Sequence, residues 1–512
     1  MSTIRRQILR RRKRRIERRL EPRNWEAQDA PMYSASNIHY ELSERSRGLD
    51  TGGIGVMHRL AKHVGLVEEL DQRVEVLKEH LPYHESDHVL GIAYNILCGG
   101  TCLQDIELRR TNEAYLDALG AQRIPDPTTA GDFCRRFEER EQVEGLQEAI
   151  NEARLRVWRK QPGEFLDYAT IDADGSLAPT TGECKEGMDI SYKGEWGYHP
   201  LIVSLAQTQE PLYLVNRPGN RPSSEGASEY LDRAIALCRR AGFRRITLRG
   251  DTDFTQTRHL DGWDAEKVRF LFGCDARSNL IEAAKTLPKS AWKGLERPER
   301  YRVGTSERAR PVNVKEAKVI ERGFTNIRLR REDVAEFEYR PVCCTKTYRM
   351  IVVRKDLSIE EGQYHLFYKY RYFFYITSDR RTLAGNLVLE ANGRCNQENL
   401  IAQLHSGVQA TRMPVDNLLS NWAYMVMAAL AWTLKAWFAL LLPEQGRWHE
   451  LYRQQKTAVL KMEFRTFLNA FMRVPAQVIR QGRRIVFRLL AWNPWQEVFL
   501  RGFDQLRGNL RA

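Results

Sequence analysis

Residues 165–177 read Phe165-Leu-Asp-Tyr-Ala-Thr-Ile-Asp-Ala-Asp-Gly-Ser-Leu177, and their period of two sets Tyr168, Thr170, Asp172 and Asp174 on one face of a β-strand. Residues 198–207 and 212–216 read as the next two strands, with Gln209-Glu210-Pro211 as the turn between them. A helix over 224–241, stopped by Gly242, follows. The β-prone run Arg245-Ile-Thr-Leu-Arg-Gly250 then delivers Asp251 at its end. Strands, a helix and a strand ending on an aspartate predict an α/β core.

Upstream, the periodicity is helical from Ile54 to about Lys160. Val89, Leu90, Ile92, Ala93, Ile96 and Leu97 make one apolar face, with Ser86 as its N-cap and Gly99-Gly100 as its stop. A long helix over 129–158 carries, with its end, Arg135, Arg136, Arg140, Arg154, Arg156 and Arg159, which suits DNA binding; a scaffold with solvated arginines is the alternative. Downstream, 287–370 is mixed, strand-prone and charged, and reads as a β-rich insertion before a strand at 372–378. Helices are predicted over 380–389, 394–408 and 415–442. The domain reading is a basic tail and linker over 1–50, a helical DNA-binding domain over 51–160, a catalytic core over 161–286 and 371–442, the insertion over 287–370, and a basic helical region over 443–512.

Charge narrows the partner. The 512 residues carry 80 Lys and Arg against 66 Asp and Glu, a net +14. Ten of those basic side chains lie in residues 1–20, including Arg10, Arg11, Arg12, Lys13, Arg14 and Arg15. Such a density attracts polyanions and releases counterions on binding; the alternative is a solvated tail with no specific partner. Nine scattered cysteines without Cys-x-x-Cys spacing predict free thiols in a reducing cytoplasm. The apolar stretch 422–442 contains Lys435 and has polar flanks, so it reads as a buried helix, with no membrane partner.

Against that background, 164–195 holds eight acids and two lysines. A local excess of negative charge inside a basic protein favours a cation, and Mg²⁺ fits because it takes one or two carboxylates plus waters and substrate phosphates. On a continuous helix, steps of about 100° line Arg394, Glu398 and His405 along one stripe. Arg394 and His405 would then grip phosphate while Glu398 completes the metal site. Glu390 is the fallback carboxylate.

These residues also form a recognisable set. Asp172-x-Asp174-x-Ser176, Gly250-Asp251-Thr252-x-Phe254, and Asn392-Gly-Arg394-x-x-x-Glu398-Asn399-x-Ile401 resemble the DDE transposases of bacterial insertion sequences. Pro414 and Asn421 fall where that family has a Pro and an Asn after its glutamate helix. Pro82-Tyr-His-Glu-Ser-Asp-His88 through Asp126-Pro-Thr-Thr-Ala-Gly-Asp-Phe133 is similar to the N-terminal part of the insertion-sequence thirteen-eighty group. The resemblance spans roughly 50–440.

The resemblance implies a ribonuclease-H-like catalytic core with a β-rich insertion, preceded by an all-helical N-terminal domain and followed by a basic helical tail. It implies a catalytic, metal-holding set of Asp174, Asp251 and Glu398, with Asp172 as the alternative first aspartate. Two Mg²⁺ ions, replaceable by Mn²⁺, would serve cleavage of element ends and joining of their 3′-hydroxyls to target DNA. Arg394 matches the arginine of the family's tyrosine-arginine-glutamate-lysine signature, whereas Ala391 replaces the tyrosine and His405 the lysine, so a hairpin route is not assumed. Two ends per element imply at least a homodimer on DNA, in a bacterial cytoplasm at the nucleoid. Trp292 is either a base-stacking or a buried structural residue. The rivals are a metal-dependent nuclease of the same fold, a silent DNA-binding remnant, and a zinc peptidase on His84-Glu85-Ser86-Asp87-His88, which a helix cap at Ser86 would defeat.

Overall fold

The computed structural model describes residues 3–20, 35, 38–40, 47–80, 82–180, 182, 184–297, 325–361, 364–482 and 484–506. Eight strands carry the architecture: β1 (Tyr168–Gly175), β2 (Leu201–Leu205), β3 (Glu210–Val215), β4 (Arg245–Gly250), β5 (Arg269–Cys274), β6 (Thr325–Tyr339), β7 (Tyr348–Glu361) and β8 (Tyr364–Thr377). With the short strand Lys293–Gly294 they make one nine-stranded sheet, in the order Lys293–Gly294, β6, β7, β8, β5, β4, β1, β2, β3. β4 runs parallel to both β1 and β5, and every other pairing in that sheet is antiparallel. All residues of β2 and β3 are buried, which is why these strands read as apolar runs rather than as alternation.

The segment read as an insertion therefore extends the central sheet. β8 pairs with β5 through Phe374–Thr377 against Leu271–Cys274, so the long strands continue the core outward. Leu271, Val334, Ile351 and Val353 on these strands pack under Leu387 and Val388 of a covering helix.

The helices used below are α1 (Thr3–Leu20), α2 (Glu85–Leu97), α3 (Pro127–Arg135), α4 (Arg140–Trp158), α5 (Ala227–Ala241), α6 (Ala384–Asn392), α7 (Cys395–Ala402), α8 (Leu418–Leu440) and α9 (His449–Lys461). The single helix expected over 129–158 is two, α3 and α4. Asp126 caps α3, with Pro127 in its first turn, and Gln142 folds back on the Glu139 N–H at 3.0 Å to start α4 afresh. At α2 the cap is His84, not Ser86, and Asp87 accepts from the His84 N–H at 3.0 Å.

The α4 arginines meet protein carboxylates. Arg140 pairs with Glu144 and Glu229, Arg154 with Glu210, and Arg156 with Glu69. Arg135 of α3 pairs with Asp132 and Asp416. These pairs give the named arginines the scaffold contacts that were the alternative to DNA binding; Asp132 and Glu144 are local, whereas Glu69, Glu210, Glu229 and Asp416 are brought close by the tertiary fold.

The region after 443 is not all helical. Ala476–Gln481 and Arg484–Leu489 form a hairpin whose turn includes Gly482 at φ +56°, and its first strand pairs with Gly48–Leu49. α1 lies against the end of the chain. Arg5 pairs with Asp504 at 3.2 Å, and Arg12 donates to the Leu489 carbonyl at 2.8 Å.

α8 is apolar on all sides and packs against α2, α3, α4, α9 and β3. It is long and apolar enough to cross a membrane, but its whole apolar window is buried within the protein. Buried apolar residues from Ile54 through the sheet to Phe499 form one continuous cluster, so 51–160 shares a core with the rest of the chain. Within it, Lys435 is fully buried; its Nζ donates to the Leu460 carbonyl at 2.7 Å, near the end of α9, and sits 3.8 Å from the Trp432 ring centre.

Burial pushes the Lys435 ammonium down to about 7. Since its ordinary value is about 10.4, folding releases a proton between those limits and wild-type stability rises with pH there. Below about 7 the lysine is charged in both states and the slope vanishes. Chemical denaturation at pH 7 and pH 9 is therefore expected to show wild type gaining stability relative to Lys435→Met, at up to about 1.4 kcal/mol per pH unit. Equal changes in the two proteins would refute a neutral buried Lys435.

Candidate active site

β1 and β4 are parallel neighbours with Asp172 directly opposite Arg249, so Asp174 and Asp251 emerge side by side at adjacent strand ends. Asp251 caps a short 3₁₀ turn, Thr252–Phe254, and its carboxylate accepts from the Asp253 N–H at 3.0 Å. A Cβ on Gly250 would stand 2.7 Å from the Phe254 Cβ, so this tight turn needs glycine there.

Arg394 reaches into the gap between the two aspartates. Its Nη1 lies 2.8 Å from Asp174 Oδ2 and 3.9 Å from Asp251 Oδ2. Burial pushes the Asp174 carboxyl up to about 6; Arg394 opposes that rise, while the charges of Asp251 and Glu398 add to it. Asp251 is raised as well, by burial, and Arg394 again opposes. Glu398 sits exposed in the first turn of α7, where a negative charge suits the helix N-terminus. Its charge reaches Asp174, while the Arg394 guanidinium pairs with the two aspartates.

Asp172 is oriented differently. It is 1% exposed and accepts from Arg249 Nε at 2.7 Å and Nη2 at 2.8 Å. Burial raises its carboxyl and Arg249 holds it back. Both oxygens face this fork, which leaves Asp174 as the aspartate of β1 turned toward Asp251. Glu390 is likewise taken, by Arg269. Sequence reasoning missed Arg249; the available signal was an arginine at the end of the β-prone run, next to Gly250 and Asp251.

The continuous stripe expected for Arg394, Glu398 and His405 does not form. Arg394 is the N-cap of α7, and after Ala402 the chain enters a π-turn, Gln403–Gly407, that moves His405 around the axis. The two His405 nitrogens lie 2.7 Å from Ser176 Oγ and 2.6 Å from Thr411 Oγ1. Burial lowers its pKa, which favours the neutral ring. His405 thus braces the turn after Asp174 rather than offering a charged grip for phosphate. Asn421 is structural as well, exchanging hydrogen bonds with the Val415 backbone at 2.9 and 3.0 Å.

Trp292 is half-buried, with the Arg354 guanidinium 4.1 Å from its ring centre and Tyr372 beside it. The His84 to His88 motif has no shared face. His84 is exposed at the cap, while His88 is buried against the Phe133 ring at 4.3 Å. All nine cysteines are free thiols.

Among the described residues, no three acidic, His or Cys side chains stand close enough to enclose a metal ion. The chemistry of the gap still fits one. Two oxygen donors flank a position now filled by a cationic nitrogen, and Mg²⁺ needs only one or two carboxylates beside water and phosphate.

A family model described as the transposase DDE domain, group 1, matches residues 49–510. No curated protein matches the chain. Among solved structures, a piggyBac transposase synaptic complex with hairpin DNA aligns at 10% identity over 82% of this chain and 83% of that one. The TM-score of that alignment is 0.35.

Proposed function

The chain belongs to the transposase DDE domain, group 1, family, and we propose on that premise that it is the transposase of a bacterial insertion sequence of the thirteen-eighty group. It is a DNA-cleaving and strand-transferring enzyme. In this reading it binds the two ends of its element, cleaves them and joins the freed 3′-hydroxyls to target DNA. The observation that carries the reading is the meeting of Asp174 and Asp251 at one guanidinium, with the charge of Glu398 reaching the same place. The strand order β3-β2-β1-β4-β5, parallel only across β1, β4 and β5, supports a ribonuclease-H-like core.

Asp174, Asp251 and Glu398 would hold divalent ions, Mg²⁺ or in its place Mn²⁺. Bound there, such ions polarise a phosphodiester and lower the pKa of an attacking hydroxyl. Asp174 and Asp251, on adjacent strands of a rigid sheet, fix where the phosphate sits. Arg394, already beside both, is placed to bond a phosphate oxygen once its carboxylate partners are otherwise neutralised. Arg10, Arg11, Arg12, Lys13, Arg14 and Arg15 lie on α1 and would bind the DNA backbone. One site per protomer and two ends per element make a homodimer the functional unit on DNA, in the bacterial cytoplasm.

The test is Mg²⁺-dependent cleavage and joining of labelled DNA carrying the gene's flanking ends, comparing wild type, Glu398→Gln and a chain lacking residues 2–19. End cuts followed by joined products, both lost in Glu398→Gln, are expected. The truncated chain is expected to bind ends more weakly and with a flatter salt dependence. Cutting without joining would make the protein a nuclease, and binding without cutting a silent copy.

A further inference from the structure

Arg249, on β4, touches β1 and the end of α6, two of the segments that lead into the proposed site. Its Nε and Nη2 fork onto Asp172, two residues before Asp174 on β1, at 2.7 and 2.8 Å. Its own Cα lies two residues before Asp251, on β4. Its Nη1 donates to the Glu390 carbonyl at 2.6 Å, near the end of α6, just ahead of the turn that delivers Arg394 and Glu398. A Cβ on Gly393 would stand 2.7 Å from that same Nη1, so the turn is laid closely against the guanidinium.

The pair is 6% and 1% exposed, deep enough to bear a full desolvation cost. A buried ion pair of this kind gives little net stability over apolar side chains of similar volume. What it supplies is geometry. A planar guanidinium fixes its partners in direction as well as distance, which an ammonium cannot do. Here those partners are a strand and the entry to a helix, and the arginine's backbone belongs to the strand between them.

We propose that Arg249 and Asp172 are positioning residues that hold Asp174, Asp251 and the Arg394–Glu398 turn in mutual register for strand cleavage. This rests on the function proposed above. Asp172 then acts through Arg249 and touches neither metal nor DNA.

The test measures Mn²⁺ binding to the DNA-free protein by calorimetry, cleavage of end DNA, end-DNA affinity and thermal unfolding. The variants are Arg249→Lys, which keeps the charge but not the fork, and the double change Asp172→Leu with Arg249→Met, which leaves no buried charge unpaired. Both are expected to fold and to bind end DNA as wild type does. Mn²⁺ affinity and cleavage are each expected to fall by on the order of 10- to 100-fold, the range seen when residues that orient metal ligands are replaced. Wild-type cleavage and Mn²⁺ affinity in the double variant would overturn the proposal. So would an Arg249→Lys protein that behaves as wild type while Asp172→Asn alone loses Mn²⁺, since Asp172 would then be a ligand itself. A wild-type protein that cleaves no DNA would instead bring down the transposase reading, and is told apart by the wild-type arm alone.

Discussion

Asp174→Asn is expected to lower DNA cleavage by at least about three orders of magnitude, at the upper end of what removal of one preorganised charge-stabilising group costs. The expectation comes from where the charge sits. Asp174 is largely buried, is pushed up to about 6, and relies on Arg394 at 2.8 Å to stay ionised beside Asp251. A group held ionised against burial and like charge is poised to bind a cation, and asparagine removes the charge while keeping the shape. Affinity for end DNA is expected to stay level or rise slightly, since one negative charge facing the phosphates is gone. Asp251→Asn should match it in both measurements. A single-turnover cleavage assay together with a binding titration reads the two quantities apart. Substantial cleavage by Asp174→Asn would return Asp172 to the site and undo its assignment to Arg249.

That contrast between the two aspartates shows where sequence reading reaches its limit. Period-two alternation is a local property, and it placed Asp172 and Asp174 on one face of β1 and Asp251 at the end of β4, as the structure has them. Gly242 stops α5 with φ +97°, again a local matter. The division of labour between Asp172 and Asp174 is not local. It depends on Arg249, and residues 172 and 249 become neighbours only when β1 and β4 pair. In a sequence, an arginine in a strand reads as an exposed edge residue.

His405 failed for a related reason. A stripe through Arg394, Glu398 and His405 requires an unbroken α-helix, and the π-turn at Gln403–Gly407 changes the angular count. Nothing in Gln-Leu-His-Ser-Gly marks a π-turn, which is a response to what the helix packs against. The hairpin at Ala476–Leu489 was different, because its signal was present. Gln-Val-Ile-Arg-Gln-Gly-Arg-Arg-Ile-Val-Phe has a glycine between two short β-branched runs, and the density of arginines masked it. The ion pairs of the α4 arginines were not legible either, since Glu69, Glu210 and Glu229 lie far away along the chain.

Glu210 carries the largest expected stability effect. It is fully buried at the start of β3, where it accepts from Arg154 Nε at 3.2 Å, Trp158 Nε1 at 2.9 Å and Trp437 Nε1 at 2.8 Å. Arg154 and Trp158 belong to α4 and Trp437 to α8, so one carboxylate ties the helical segment, the sheet and the central helix together. Glu210→Ala leaves Arg154, 1% exposed, as an uncompensated buried charge. It should cost roughly 3–5 kcal/mol, a large share of the roughly 5–15 kcal/mol that stabilises a typical protein. Glu210→Gln keeps one oxygen for an indole N–H but leaves the Arg154 charge equally unpaired, so it should cost nearly as much. Because the buried apolar cluster runs unbroken through all three layers, the loss is expected to move a single unfolding transition of the whole chain, seen alike by far-UV circular dichroism and tryptophan fluorescence. A separate transition for the helical segment, untouched by Glu210→Ala, would mean that residues 51–160 fold as a domain of their own and that this carboxylate does not bind them to the sheet.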